Sequence, residues 1–521
     1  MKPFLMMACL ACCAAGARSQ NNVPVISGLS ATVDTAQKKV TVSFDLADAE
    51  NDSVEVSLAV SDNNGTTYFV NAAAVTGDVG FPVFPRNGRQ IVWDYTAVTG
   101  NSGSYRIRVV ADDRHHVPIQ DMVDRVDSLR LIQDMHIVEG VRNATNGAAH
   151  LAEVKDTIFG RFTNLGLETR YQNFQYGSYQ AQNIIGKKQG RTDEATVYIV
   201  DGHFDSVNGP GADDNGSAVI GVLEAARILS AYEFKKTIRF IGFDLEELGL
   251  LGSREYVNNG IAAQESVAGV LNFEMIGYYS QRKNSQVFPT GFNLLFPAAY
   301  AAVFSDTFRG NFITNVANTN SSLLKQKFDQ CAAAYVPALR VISLEAPGNS
   351  EIAQDMRRSD HAPFWDKGYR ALMLTDGAEY RNHNYHTSRD VSDSLSFGFI
   401  QNVVKATVAT LAELAEPIHA DMKTTDVQLP NVSLLGVQEY GKGRIDVSPN
   451  PGNESIRVGW TGTDYREITV TDMKGRLVYK SAIPPSANQH LLLTETYANG
   501  TYVVKLRGGR SELTQKIVVG H

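Results

Sequence analysis

The stretch that decides the fold is Asp201-Gly-His-Phe-Asp-Ser-Val-Asn-Gly-Pro-Gly-Ala-Asp-Asp-Asn-Gly-Ser-Ala218, followed by Ile241-Gly-Phe-Asp-Leu-Glu-Glu-Leu-Gly-Leu-Leu-Gly-Ser253. It places one histidine and several carboxylates directly after apolar runs. Residues 195–200 and 237–243 are nearly continuous apolar segments, which is typical of strands buried on both faces. Residues 217–230 between them have the apolar spacing of a helix. The stretch therefore predicts a strand, a helix and a second strand, with polar side chains in the loops after the strands.

The same alternation continues along the chain. Residues 267–273 and 370–375 are further apolar strands, and residues 396–414 have the spacing of a long helix. Alternating strands and helices predict an α/β domain with three αβα layers around a mostly parallel central sheet, which we assign to residues 118–416. In such sheets the functional groups collect on loops at the carboxyl ends of the strands.

The segments on either side of this domain have a different pattern. Residues 20–116 contain short alternating apolar and polar runs separated by turn clusters, which predicts an N-terminal β-sandwich of the immunoglobulin or fibronectin type. Its role as a spacer, a substrate-docking module or a removable pro-segment is left open by the sequence. Residues 417–444 lack periodicity and are predicted to be a linker, and residues 445–521 are again short strands and turns.

Composition limits the location and the partners of the protein. The chain has 521 residues and a net charge of −8, which argues against a nucleic-acid partner because such proteins need a basic surface. No apolar run reaches the roughly 20 residues that span a bilayer, so no transmembrane segment is expected. Residues 1–19 begin with Lys2, continue with an apolar stretch and contain Ala15-Gly16-Ala17, which predicts a signal peptide. Its removal would leave Cys331 as the one cysteine, and therefore no intramolecular disulfide.

Three groups of residues in the opening stretch point to metal chemistry. His203 is followed by Asp205, an arrangement in which a carboxylate can hold the imidazole in one tautomer. Asp213 and Asp214 precede a helix; an N-cap explains one acidic residue there, and leaves Asp213 as a candidate ligand. Glu246 and Glu247 are adjacent like charges after a strand. Alone they could be a solvated first helical turn, but beside the other two groups they favour a metal ligand and a general base.

These blocks resemble a known family. GHFDS at 202–206, GADDNGSA at 211–218 and DLEELGLLGS at 244–253 are similar to the three signature blocks of the co-catalytic zinc exopeptidases. That family includes bacterial leucyl aminopeptidases, some carboxypeptidases and, as relatives, glutaminyl cyclases. NFEMIG at 272–277, SDHAPF at 359–364 and YHTSRD at 385–390 extend the resemblance in the expected order.

The resemblance implies a role for each matching residue. His203 and Glu274 would bind one zinc ion, Glu247 and His386 a second, and Asp213 would bridge both. Glu246 would be the catalytic base and acid, assisted by Asp205, and the Asp213–Asp214 bond would be a cis peptide. His361 and His383 are not assigned as ligands. The family usually has Asp at the position of Glu274, so the extra methylene could shift the first zinc.

The function expected from the resemblance is a secreted aminopeptidase that removes N-terminal residues from peptides. Glu246 would take a proton from a zinc-activated water and return it to the leaving amine. A carboxypeptidase, a glutaminyl cyclase and a catalytically weak surface-binding protein remain as alternatives. Cyclases typically have tryptophan immediately before the late histidine, where this chain has Tyr385.

The C-terminal segment resembles a second family. Residues 445–521 are similar to the sorting domain of type IX secretion, on the runs at 447–451, 468–475, 500–504 and 515–519. The alternative is another carbohydrate- or protein-binding sandwich. The resemblance implies the type IX secretion machinery as a partner and export through the periplasm, with the enzyme released or attached to the cell surface.

Overall fold

The computed structural model describes residues 21–72, 74–96, 98, 103–430, 445–460, 465–484, 487–508 and 512–521. The predicted signal peptide at 1–19 lies outside these residues. The chain divides into two compact units, one up to Asn431 and one from Val432 onward. Within the part of the chain that the structure describes, no helix is long and apolar enough to cross a membrane.

The first unit begins with seven strands, and burial alternates regularly along the second of them, Lys39–Ala47. Trp93 is fully buried and packs against Tyr95 and Tyr105, which forms the aromatic centre of this small core. The strands are β1 Val25–Asp34, β2 Lys39–Ala47, β3 Val54–Ser61, β4 Val75–Gly77, β5 Gly80–Val83, β6 Arg86–Asp94 and β7 Ser104–Asp112.

The central sheet of the first unit has eight strands. Its strands are β8 Glu168–Tyr176, β9 Tyr179–Lys188, β10 Asp193–His203, β12 Lys236–Phe243, β13 Ser266–Glu274, β14 Ile313–Asn318, β15 Val341–Ala346 and β16 Ala371–Thr375. The order is β15-β14-β16-β13-β10-β12-β9-β8. The neighbours β16, β13, β10 and β12 are parallel to one another, and the antiparallel pairs lie toward the edges. A short strand, β11 Glu233–Phe234, stands outside this sheet.

Helices cover both faces of the sheet. They are α1 Ile119–Val123, α2 Ser128–Val138, α3 Ala148–Asn164, α4 Ala218–Leu229, α5 Leu251–Glu255, α6 Phe292–Leu295, α7 Pro297–Ser305, α8 Ser322–Tyr335, α9 His361–Asp366 and α10 Phe397–Ala415. Val200 belongs to the core that includes α2, α3, α4, α8 and α10, whereas its neighbour Ile199 belongs to the core of α6, α7 and α9. Successive strand residues thus point to opposite faces. The predicted three-layer fold is confirmed, and the sheet is mixed, with its four central strands parallel to one another.

The chain returns to the β-sandwich after α10, where the sequence predicted a linker. Strand β17 Pro417–Ile418 pairs with β11, and β18 Ala420–Gln428 pairs with β7 over nine positions, from Ala420 opposite Asp112 to Gln428 opposite Ser104. The sandwich therefore consists of the sheets β1-β2-β6-β4 and β18-β7-β3-β5. The linker prediction is wrong for residues 420–428, and residues 431–444 lie outside the described residues. The polar composition of β18 is typical of an edge strand, which has little apolar periodicity to detect.

The catalytic-domain residues are thus an insertion between two neighbouring strands of the sandwich. Further contacts hold the two parts together: Lys235 Nζ is 2.9 Å from Glu55 Oε2, and His419 Nδ1 is 2.8 Å from the buried Asp113 carboxylate. This arrangement argues against a removable pro-segment, because loss of β7 would leave β18 without its partner strand.

The second unit is a separate small sandwich. Its strands are β19 Ile445–Ser448, β20 Ser455–Trp460, β21 Tyr465–Asp472, β22 Leu477–Ala482, β23 Gln489–Leu493, β24 Gly500–Gly508 and β25 Glu512–Val519. They form a three-stranded sheet, β19-β20-β23, and a four-stranded sheet, β22-β21-β24-β25. Ile456, Ile468, Val504 and Ile517 are fully buried in the core between these strands.

The position of β18 can be tested with two matched substitutions. Val427 is buried and Thr424, in the same strand, is exposed. We expect Val427→Asp to lower the free energy of unfolding by about 3–5 kcal/mol, because it buries an unpaired charge, and Thr424→Asp to leave it nearly unchanged. Thermal or denaturant unfolding measures both. Equal stability of the two variants and the wild type would mean that residues 420–428 are a free linker.

Candidate metal centre and active site

The predicted site residues meet at one edge of the central sheet. His203 is the last residue of β10 and Glu274 is the last residue of β13. Glu246 and Glu247 lie in the loop after β12, and His386 lies in the long loop after β16. Because β12, β10, β13 and β16 are adjacent and parallel, their carboxyl ends fall together.

His203, Asp214 and Glu274 form a first group of possible ligands. Nε2 of His203 is 3.4 Å from Asp214 Oδ1 and 3.5 Å from Glu274 Oε2, and all three residues are buried. Their ligand atoms lie within 4.8 Å of one another. Ser359 Oγ donates a hydrogen bond of 2.6 Å to Glu274 Oε2. The longer side chain of Glu274 therefore still reaches the group.

Asp214, Glu247 and His386 form a second group. Nε2 of His386 is 3.0 Å from Asp214 Oδ2 and 3.3 Å from Glu247 Oε2. The ring of Tyr385 stacks on the His386 ring with centroids 3.8 Å apart, which holds the imidazole in place although it is partly exposed. Asp214 thus belongs to both groups and faces each of them with a different carboxylate oxygen.

The shared residue is Asp214 and not Asp213, contrary to the sequence-based prediction. Asp213 points elsewhere: its carboxylate accepts hydrogen bonds from the Gly277 N–H at 2.9 Å and from Asn382 Nδ2 at 2.7 Å. Asp214 and Asn215 depart from helical dihedral angles, so the two adjacent aspartates do not share a direction. The cis peptide bond also lies one position later than expected, between Asp214 and Asn215. Neither the N-cap argument nor the resemblance of the sequence block can decide which of the two adjacent aspartates is the shared ligand.

Asp205 lies beside His203, as expected, and it also fixes a second loop. Its Oδ1 atom is 3.5 Å from His203 Nδ1. The backbone N–H groups of Glu246 and Glu247 donate to its two carboxylate oxygens, at 3.0 and 3.2 Å. The Asp205 carboxylate therefore connects the histidine to the loop that carries both glutamates.

Asp390 plays a comparable part that sequence reasoning missed. Its two carboxylate oxygens accept from the N–H groups of Asp213 and Asp214, each at 3.0 Å. Asp390 is buried and follows His386 by four residues. It lies in the YHTSRD block, but nothing in the block distinguishes an acid that binds backbone from one that binds metal.

The two unassigned histidines lie outside both groups. His361 is fully buried, with its Nε2 atom 2.8 Å from the Met356 carbonyl oxygen and its ring edge-on to Trp365. His383 is exposed. Neither belongs to a described cluster of possible ligands.

The site concentrates negative charge away from water. Burial, together with nearby acids such as Glu274, raises the pKa of Glu246 well above its usual value. Burial and the Asp214 charge raise the pKa of Glu247 to about 7. Hydrogen bonds to Asp214 and Glu247 raise the pKa of His386 to about 10. Acids thus outnumber bases here, and cations bound between them would relieve the repulsion.

The donor set fits zinc. Each group offers one imidazole nitrogen and two carboxylates, which are ordinary zinc ligands, and three protein ligands leave a coordination position open. Glu246 is not in either group, but its Oε2 atom is 3.8 Å from His203 Nε2, beside the first of them.

Two family models match parts of the chain. Residues 183–411 match the family model described as peptidase family M28. This region belongs to peptidase family M28. The match confirms the resemblance to this peptidase family for residues 183–411. Residues 446–520 match the model described as a secretion system C-terminal sorting domain, which confirms the prediction for that segment and indicates secretion or cell-surface attachment.

Individual M28 relatives cover parts of the chain. Leupeptin-inactivating enzyme 1 of Streptomyces exfoliatus is 37% identical over 242 residues, 46% of this chain and 45% of its own. Aminopeptidase YwaD of Bacillus subtilis is 45% identical over 101 residues, 19% and 22% of the two chains. The chain thus spans less than half the length of these two curated relatives. A solved zinc aminopeptidase from Bacillus subtilis is 27% identical, with 46% and 51% coverage and a TM-score of 0.34.

The choice between the adjacent aspartates can be tested by zinc content. We expect Asp214→Asn to lose zinc from both groups after dialysis, because it weakens the one carboxylate that they share. Asp213→Asn removes a residue that acts through hydrogen bonds, and such changes cost roughly 10–100-fold in metal affinity. Elemental analysis and a chelator titration measure both effects. A stronger zinc loss in Asp213→Asn than in Asp214→Asn would reverse the assignment.

Proposed function

We propose that the protein is a secreted aminopeptidase that uses two zinc ions. The observation that carries the proposal is the shared Asp214, with one oxygen 3.4 Å from His203 and the other 3.0 Å from His386. One carboxylate between two histidine-and-carboxylate groups is the arrangement that a pair of cations requires. On this proposal His203 and Glu274 complete one zinc site, and Glu247 and His386 complete the other.

Bound zinc, Glu246 and Asp205 have different roles in the proposed reaction. Bound zinc would supply Lewis acidity, which lowers the pKa of a water and polarises a carbonyl. Glu246 is the base that accepts the proton of that water and then donates it to the leaving amine. The raised pKa of Glu246 suits both steps. A group that takes up a proton and later returns it works best when its pKa lies near the operating pH. Asp205 fixes the position of the loop that carries Glu246 relative to the His203 ring.

An apolar pocket beside Glu274 supports a preference for large apolar side chains. Its walls include Phe288, Phe292, Phe312, Ile342, Leu344 and Met373, and charged residues such as Asp355, Arg358 and Glu379 also line it. The charged residues are partly exposed, whereas most of the apolar walls are buried. A leucyl or phenylalanyl side chain placed there would leave water while its α-ammonium stayed among carboxylates.

The family relatives support the amino end of the peptide as the site of cleavage. A protein of Bacillus subtilis that is similar to this chain is named an aminopeptidase. The carboxylates around Glu274 would attract an α-ammonium more readily than a terminal carboxylate. Cyclases typically have tryptophan at the position of Tyr385, so this residue disfavours a cyclase. Tyr385 lines the pocket and stacks on His386.

The sorting domain supports an extracellular place of action. We propose that the protein passes through the periplasm, is recognised by the type IX machinery through residues 445–521, and acts outside the cell. Detection of the full-length chain with an intact N-terminus in the cytoplasm alone would contradict this route.

The role of Glu246 predicts a loss of turnover without a loss of metal. We expect Glu246→Gln to lower kcat by about 10²–10⁴-fold, the usual contribution of a positioned acid or base, and to keep its zinc. Glu168→Gln, at an exposed glutamate of the sheet edge, is the matched control and should keep wild-type kcat. Zinc analysis and steady-state hydrolysis of leucyl-nitroanilide measure both. Wild-type turnover in zinc-loaded Glu246→Gln would remove this residue from the reaction.

The pocket predicts the order of substrates. Burying a leucine side chain is worth about 1.5–3 kcal/mol, so kcat/KM for leucyl- and phenylalanyl-nitroanilides should exceed that for the glycyl compound by roughly 10–150-fold. N-blocked peptides should not be cleaved, and N-terminal glutaminyl peptides should not cyclise faster than in buffer. Activity confined to N-blocked substrates would favour a carboxypeptidase, and rapid cyclisation a glutaminyl cyclase.

A further inference from the structure

Arg142 is a fully buried cation directly behind the candidate metal centre. Its side chain donates hydrogen bonds to the carbonyl oxygens of Phe204, Pro210 and Gly211 at 2.7–2.8 Å. It also donates to those of Val138 and Gly140 at 2.8 and 2.9 Å. Every one of these described side-chain bonds goes to the backbone, which is an unusual use for a buried guanidinium, since carboxylates are its common partners.

Three of the five bonded carbonyls belong to the loop between His203 and Asp214. Phe204 lies between His203 and Asp205, and Pro210 and Gly211 come shortly before Asp214. The backbone of Arg142 is tied to the middle of the same loop: its N–H donates to Ser206 Oγ at 2.9 Å, and its carbonyl accepts from the Ser206 N–H at 2.8 Å. One residue thus holds the beginning, the middle and the end of residues 204–211.

The charge of Arg142 also complements the site. Burial lowers its pKa to about 10, and the nearby charges of Asp214, Asp205, Asp390 and Glu247 oppose that shift. The guanidinium therefore stays positive at neutral pH. It offsets part of the negative charge of the site without occupying the space between the two ligand groups.

We propose that Arg142 is a positioning residue that holds the loop 204–211 so that His203 and Asp214 face each other before zinc binds. The inference deepens the proposed function and rests on it. Arg142 does not touch the candidate ligand atoms and acts through the loop backbone. Lysine cannot replace it fully, because an ammonium has three donors around one atom, whereas the guanidinium has a planar fork of five.

The test compares Arg142→Lys with Arg239→Lys. Arg239 is also buried, but it binds Tyr256 and Glu265 away from the ligand groups. Both variants should have a lower melting temperature. In metal-free protein, we expect backbone amide exchange of residues 204–216 to be about 10-fold faster in Arg142→Lys and unchanged in Arg239→Lys. Zinc affinity, measured by chelator competition, should fall roughly 10–100-fold in Arg142→Lys alone, and kcat should fall more than KM changes.

The outcomes separate this inference from the proposed function. Wild-type exchange in residues 204–216 of Arg142→Lys, or equal loss of zinc affinity in Arg239→Lys, would overturn the positioning role. A wild-type protein that does not hydrolyse peptides would count against the proposed function, while the exchange experiment would still decide the role of Arg142. If Arg142→Lys does not fold, Ser206→Ala removes the central contact of the loop. This variant, like Arg142→Lys, should speed amide exchange of residues 204–216 and lower the zinc affinity. No change in either quantity would reject the inference.

Discussion

Carboxylates that are shielded from water repel one another unless cations lie between them, and this constraint governs the carboxyl edge of the central sheet. Asp213, Asp214, Glu274, Asp360 and Asp376 are all buried there. Burial and neighbouring acids hold the pKa of Asp360 at about 7, well above the ordinary value. The buried guanidinium groups of Arg142 and Arg381 offset part of this charge. The remaining excess is what makes the groups around Asp214 suited to divalent cations.

The acids of the site either fix loops or face the histidines as candidate ligands, and their hydrogen-bond partners distinguish the two roles. Asp205, Asp213 and Asp390 each accept two hydrogen bonds from backbone N–H or amide groups, so their oxygens are already satisfied and their effect is to fix loops. Asp214, in contrast, has histidines on both of its oxygens. The alignment of the candidate ligands therefore depends on non-ligand acids as well, because each loop leaves the sheet from a different strand.

The sandwich and the central sheet belong to one compact unit. Strand β18 returns after the long helix α10 and pairs with β7, so the first and last segments of the unit depend on each other. A parallel sheet requires long crossover connections, and an insertion between adjacent strands brings its two ends together at low entropic cost. Strand pairing thus joins the sandwich to the rest of the first unit.

Local sequence was sufficient for the elements that carry most of the site. Apolar runs and helical spacing identified the strands β10, β12, β13 and β16 and the helices α4 and α10, because burial on both faces has a strong local pattern. The signature blocks selected His203, Glu247, Glu274 and His386, all of which the structure brings into the two groups. The strands β14 and β15 were not predicted, because they enter the sheet without such a pattern.

Only the tertiary structure decided which of two adjacent aspartates is shared, where residues 420–428 belong and what Arg142 does. Asp213 and Asp214 are identical in chemistry, and their roles differ only through the directions that the turn at 212–217 gives them. Strand β18 is polar and gains its pairing from a partner some 300 residues away. The bonds of Arg142 go to carbonyl groups, which every residue has, so no sequence pattern records them. Side-chain chemistry is written in the sequence, whereas direction and long-range pairing arise only when the chain is folded.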